Sequence, residues 1–294
     1  MVYQSMYLIF PLISSLLYVA AAMFFKQAAS RGVGPWRTAL VCNGLTGVAF
    51  LALWPLGGSI PGVSSLWQPV VVAGLFVGGQ LLTFLALDKG DVSVATPVIG
   101  IKLILVAVFT TWLLATPVRS SLWLAAALSV VGIAFLHRGP QGGQGQVGQT
   151  ILFALAAGVT YALFDVLVMK WAPAWGPGRF LPIAMLLSGV LSLGFVPLFS
   201  QPLRSISRQQ WRPLLGGSLF MAAQAMVLIN TLAVFQDGTA VNVIYNLRGL
   251  WSVAAVWFVG HWFGNVERQL GRETLGWRLA GAVVLSAAVV LVFV

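Results

Sequence analysis

Charge is what this sequence has least of. Only 7% of its 294 residues are Asp, Glu, Lys or Arg, where a soluble domain carries about 25%. A chain so poor in charge cannot clothe itself in a hydrated surface, which excludes water as its main solvent. Acids are scarcer still, 6 against 16 bases. The one cysteine, Cys42, lies inside an apolar run, so an intramolecular disulfide is excluded. The two histidines, His137 and His261, stand near the ends of apolar runs, and no CxxC or Cys/His set offers a metal site. No nucleophile and base are spaced for catalysis, and Gly78-Gly79 follow no strand, so they cradle no phosphate. The chain reads as a protein that is not an enzyme and calls for no cofactor. Its start, MVYQSMYLIF, has neither a basic leader nor an A-x-A cleavage site, so the first apolar run reads as a retained helix.

What fills the sequence instead is hydrophobic residues, 59% of the total, with a mean hydropathy of +0.95. Apolar runs near twenty residues, the length of a membrane-crossing helix, recur at 5–27, 37–57, 67–88, 93–115, 120–137, 149–170, 180–200, 212–235, 240–262 and 276–294. These ten predict an all-α integral membrane protein. The net charge of +10 comes from bases at run ends and in short loops. That pattern speaks for orientation in a membrane and not for a nucleic-acid-binding face.

The stretch 139–149, GPQGGQGQVGQ, suits a flexible linker. On either side of it the chain repeats. Trp67-Gln-Pro69 leading to Gln80 returns as Trp211-Arg-Pro213 leading to Gln224, and Lys26 returns as Lys170. The fourth run matches the ninth: Asp91 is followed eleven residues on by Lys102, and Asp237 by Arg248. The expected domains are therefore 1–138 and 150–294, each of five spans. With an odd number of spans the second half enters the membrane inverted, the arrangement of secondary transporters with a midplane substrate site. Eleven loop bases follow odd-numbered spans and three follow even-numbered ones. The positive-inside rule then sets both termini outside.

The layout, together with Leu85-Ala-Leu-Asp-Lys-Gly-Asp-Val-Ser-Val-Ala-Thr-Pro97 and Thr231-Leu-Ala-Val-Phe-Gln-Asp-Gly-Thr-Ala-Val-Asn242, resembles the drug/metabolite transporter superfamily, specifically its EamA-like members. The resemblance implies a multi-pass protein of a bacterial inner membrane that transports amino acids, other small metabolites or drugs. It also implies termini in the cytoplasm, against the loop charges, and orientation stays open between the two. The family's glutamate after the fourth span is absent from Leu113-Leu-Ala-Thr-Pro-Val118, while Glu267 stands at the matching place after the ninth.

Lys102 and Arg248 sit ~16 Å into their spans by helical rise, where a charge costs about 3 kcal/mol and marks a functional site. They read either as a pair facing a central cavity and holding an anionic group, or as counter-ions that lock the halves together. Asp165, one turn after Tyr161, is the acid deep inside a span; its repeat counterpart is Ala21. It carries a coupling proton, binds an amine, or neutralises one of the bases. Asn242, Tyr245 and Asn246 form a polar stripe that suits selectivity, and Trp251, one turn from Arg248, is placed to wall the cavity. Gln80 and Gln224 either contact substrate or join helices, and Pro97 either bends the fourth span as a hinge or merely kinks it. The leading expectation is a transporter of a small metabolite with an anionic group, working by alternating access as a monomer or homodimer, with protons as a candidate coupling ion. The alternatives are export of cationic drugs or amines on Asp165, and a lipid-headgroup flippase.

Overall fold

Pro35 and Pro177 each open a helix directly after a glycine, Gly34 and Gly176. A proline at the first helical position gives up an N–H that the helix would not use. The computed structural model describes residues 3–89, 95, 98–136, 147–251, 254 and 272–293, and its α-helices include α1 Ile9–Ser30, α2 Pro35–Phe50, α3 Trp67–Lys89, α4 Lys102–Leu113, α5 Ser120–Leu136, α6 Val147–Trp175, α7 Pro177–Leu191, α8 Arg208–Phe235, α9 Gly238–Tyr245 and α10 Arg272–Val292. Ser207 and Gln210 form a capping box at the start of α8. Asp237 caps α9, its carboxylate accepting from the Ala240 N–H at 3.1 Å. No strand occurs among the described residues.

Among the described residues, six helical stretches are long and apolar enough to cross a membrane: Met6–Ser30, Pro35–Leu56, Val63–Ala86, Gly148–Trp175, Pro177–Leu198 and Arg208–Phe235. Val98–Leu113, Ser120–Phe135 and Leu279–Val292 are shorter apolar helices. The protein is thus an all-α membrane protein. Much of the expected ninth span, 240–262, lies outside the described residues, as do most of the linker at 139–149 and the candidate hinge Pro97.

The packing carries the repeat. Helix α1 lies on α8, α3 on α6, α2 on α7 and α8, α3 on α7, α4 on α6, α1 on α9, and α5 on α10. Exchanging α1–α5 with α6–α10 maps this set onto itself, with the α2–α7 and α5–α10 pairs unchanged. Within lipid there is no hydrophobic drive between helices, so close approach at small residues does the joining. A Cβ on Gly47 of α2 would lie 2.8 Å from the Met185 carbonyl oxygen of α7. On Gly217 of α8 it would lie 2.6 Å from the Phe25 ring of α1, and on Gly132 of α5 2.7 Å from Leu285 of α10. Outward the helices present leucines, valines and tryptophans such as Leu219, Leu279, Val190 and Trp112, while Ser14, Asn43, Asp165, Gln224 and Asn242 are buried. This is the reverse of a soluble surface.

Two ends of the bundle can be told apart. At one, Tyr7 meets Asp237 and the Val292 carbonyl accepts from Arg119, so both ends of the described chain lie there. At the other, Arg31 donates to the Gln209 carbonyl, and Lys26, Arg204, Arg208 and Arg212 are exposed around it.

Candidate substrate site

The fourth and ninth spans are both interrupted at the residue before their base. In the fourth, Ile101 is a turn whose N–H reaches Val98, three residues back, at 3.2 Å. In the ninth, Asn246 and Leu247 are turns, and the Leu247 N–H reaches Ile244 at 3.1 Å. Tightening of this kind in mid-helix marks a hinge, and broken helices of this kind form the substrate sites of inverted-repeat transporters. The break falls at Ile101, four residues beyond Pro97.

Lys102 stands where α6 crosses close: a Cβ on Gly158 would lie 3.4 Å from the Ile99 carbonyl and 3.7 Å from the Lys102 nitrogen. From there the lysine stem reaches Asp165, two turns further along α6. The Nζ of Lys102 lies 2.7 Å from Oδ2 of Asp165, whose side chain is 3% exposed against 16% for the lysine. The same Oδ2 accepts from Nδ2 of Asn242 at 2.8 Å, and that amide also donates to the Gly238 carbonyl at 2.8 Å. A buried charge requires such a partner, and Asp165 has two. The Tyr161 ring lies 5.9 Å from the Lys102 Nζ. The ring fits there because residue 79 is glycine: a Cβ would meet it at 2.8 Å.

Arg248 makes the mirror arrangement. Its guanidinium carbon lies 4.4 Å from the Tyr245 ring centroid and 4.8 Å from that of Tyr18, and the two rings meet edge to face at 6.1 Å. Each base therefore has a tyrosine from the other half beneath it: Tyr161 of α6 under Lys102, Tyr18 of α1 under Arg248. Aromatic faces stabilise a cation by about 0.5–2 kcal/mol.

Sequence reasoning singled out both bases, Asp165, Tyr161 and the Asn242/Tyr245 stripe, and the structure groups them in these two limbs. It missed Tyr18, whose signal was its place 143 residues before Tyr161, close to the repeat offset. Asn246 and Trp251 are neighbours in sequence to Arg248, and their Nδ2 and Nε1 atoms are buried without a hydrogen-bond partner. The two glutamines are tied elsewhere. Gln80 exchanges hydrogen bonds with Asn43 at 2.7 and 3.0 Å, and Asn43 donates onward to Ser192 at 2.7 Å. Gln224 donates to Ser14 at 3.0 Å across α1 and α8. Among the described residues, no group of His, Cys, Asp and Glu is placed to hold a metal.

Residues 5–138 match the model of the EamA-like transporter family. A probable 4-amino-4-deoxy-L-arabinose-phosphoundecaprenol flippase subunit ArnE of Pseudomonas syringae pv. syringae (strain B728a) is 33% identical over 85 residues, 28% of this chain and 76% of that protein. Its counterpart of the same name from Pseudomonas savastanoi pv. phaseolicola (strain 1448A / Race 6) is 31% identical over 81 residues, 28% of this chain and 70% of its own. A crystal structure 19% identical superposes with a TM-score of 0.74 over 98% of both chains, a likeness of fold.

Proposed function

The chain belongs to the EamA-like transporter family, and from that premise we propose that it carries a small organic solute with an anionic group across the membrane by alternating access. Arg248 and Lys102 are its two anion contacts, and Asp165 is the group that Lys102 holds when no substrate is present. The observation that carries this reading is the pair of intramembrane bases at matching places in the fourth and ninth spans, with Lys102 held by the Asp165 carboxylate and the Asn242 amide behind it. A guanidinium offers a planar fork to a carboxylate or phosphate, and a lysine offers a point charge. For the solute to engage Lys102, Asp165 must give it up. A proton on Asp165 does this by removing the charge that holds the pair, so binding of proton and anion favour each other, and reciprocally so. Tyr18, Tyr161, Tyr245 and Trp251 wall the site, and Asn242 and Asn246 supply the amides that set selectivity. Amine export on Asp165 has weaker support, since the Lys102 ammonium already matches that carboxylate's charge.

A second reading is favoured by the two relatives named as flippase subunits for an aminosugar on a lipid phosphate. Here the same bases would take the phosphate of a lipid headgroup.

The test is the thermal stability of the purified protein, wild type, Lys102→Gln and Arg248→Gln, against anionic, zwitterionic and cationic metabolites and short-chain lipid phosphates. A ligand that binds the folded state alone raises stability by mass action. The expected result is stabilisation of wild type by an anion and none in Arg248→Gln. Equal stabilisation of all three proteins by amines would overturn the assignment.

A further inference from the structure

A second polar feature lies apart from the two limbs, at the end of the bundle where Tyr7 meets Asp237. Between the last turn of α4, the first turn of α5 and the first turn of α9 is a cavity of about 240 Å³, lined by Thr110, Arg119, Gln236, Asp237 and Thr239 among others. At about 30 Å³ for each water in the liquid, that is room for a solute of six to eight heavy atoms.

The charges lining it are one of each sign. Asp237 accepts from the Tyr7 hydroxyl at 2.7 Å and from the Ala240 N–H at 3.1 Å. A carboxylate has about four lone-pair positions, so two of them stay available. Arg119 donates to the Val292 carbonyl at 3.1 Å, one of its five N–H groups. Although they line the same cavity, Arg119 and Asp237 do not pair; among the described residues the ion pair is Lys102 with Asp165.

The hydroxyls are the second observation. Thr83, Thr111, Thr160 and Thr231 each donate to a carbonyl four residues back, at 2.7 to 3.0 Å, the ordinary solution for a hydroxyl inside a helix. Thr110 and Thr239 do not. Both are buried, 5% and 2% exposed, both line the cavity, and neither Oγ1 has a partner. Buried hydroxyls are nearly always bonded.

The geometry assigns to this cavity a second solute site, distinct from the Lys102 and Arg248 limbs, for a small zwitterion. Its ammonium goes to Asp237, its carboxylate goes to Arg119, and the two threonine hydroxyls complete the contacts. A lone anion or a lone cation leaves one lining charge unmatched; a zwitterion leaves none. Placed at one mouth of the bundle, the site would load or release solute at that face.

The experiment is calorimetric titration of the purified full-length protein with L-alanine, propionate and propylamine, in wild type, Arg119→Gln, Asp237→Asn, Thr239→Val and Arg248→Gln. L-alanine is expected to bind wild type, with propionate and propylamine weaker by about ten-fold. Arg119→Gln is expected to weaken L-alanine by about ten-fold and Thr239→Val by about three-fold, while Arg248→Gln leaves it unchanged. Asp237→Asn removes the charge while an amide oxygen can still cap α9, and Arg119→Gln and Thr239→Val decide if that variant fails to fold. No binding of L-alanine at millimolar concentration overturns the proposal. So does binding kept in Arg119→Gln and lost in Arg248→Gln, which assigns the zwitterion to the midplane site. Loss of every anion response in Arg248→Gln with L-alanine binding intact leaves both sites standing. Anion responses that survive Arg248→Gln, with L-alanine lost in Arg119→Gln, count against the midplane reading alone.

Discussion

At the residue scale the account turns on Asp165. Its counterpart in the first half is Ala21, so the acid gives one base a carboxylate and breaks the symmetry of an otherwise doubled site. Removing one member of a buried pair strands the other's charge, which costs about 3–5 kcal/mol, whereas replacing both with apolar residues of similar volume is nearly neutral. Asp165→Asn is therefore expected to lower stability by about 3 kcal/mol, and Lys102→Met/Asp165→Leu to recover most of it. Denaturation in detergent monitored by near-ultraviolet circular dichroism checks this. The single residues were legible because charge inside an apolar run is conspicuous: Lys102, Asp165 and Arg248 needed no structure to be found. Which base takes the carboxylate was not legible, since both lie in spans that meet the same midplane and the choice depends on side-chain reach. Nor was Tyr18, one aromatic among many, whose role appears only when α1 is seen beside the ninth span.

At the element scale the crossing of α2 and α7 is the tightest test of the packing. Gly47 meets the backbone of Met185, whereas a Cβ on Gly44, three residues earlier on the same helix, meets nothing within 4 Å. Gly47→Leu is expected to abolish the folded protein or its accumulation in membranes, and Gly44→Ala to be tolerated. Size-exclusion profiles of tagged variants read this out, and a monodisperse Gly47→Leu would show that the two helices do not cross there. The second and seventh spans also show why the repeat was only partly visible. Gly34-Pro35-Trp36-Arg37 answers Gly176-Pro177-Gly178-Arg179 at an offset of 142, and Pro55 and Pro197 stand in matching 3-10 turns at the far ends. Self-comparison caught the third and eighth spans at 144 and the fourth and ninth at 146, and a third offset hid this pair. Pro97, the candidate hinge that the sequence offers, lies outside the described residues, while the turn at Ile101, four residues on, has no residue type to announce it.

At the scale of the whole molecule, the two ends of the bundle differ in charge. Arg31, Lys26, Arg204, Arg208 and Arg212 crowd one, while Arg119, Lys170 and Arg179 share the other with Asp237. The positive-inside rule places the Arg31 end in the cytoplasm. In a Cys42→Ala background, a membrane-impermeant maleimide applied to spheroplasts is expected to label Ser64→Cys and to spare Gln209→Cys. The opposite pattern would make the arginines interfacial anchors and put the chain termini in the cytoplasm. The all-α membrane architecture was plain from composition, because a chain 59% hydrophobic and 7% charged has no soluble solution. The cavity at the Asp237 mouth was not, since its walls come from two distant stretches of chain, 110–122 and 236–239.

The central claim is that the two midplane bases hold an anionic solute while Asp165 passes Lys102 to it on taking a proton. The most direct measurement is uptake into proteoliposomes of the anion that stabilises the wild type most, with and without an inward proton gradient, in wild type, Arg248→Lys, Arg248→Gln and Asp165→Asn. The account predicts uptake driven by the gradient in wild type, partial uptake in Arg248→Lys and none in Arg248→Gln. In Asp165→Asn it predicts uptake that no longer responds to the gradient. Gradient-driven uptake of that anion by Arg248→Gln at the wild-type rate would contradict it.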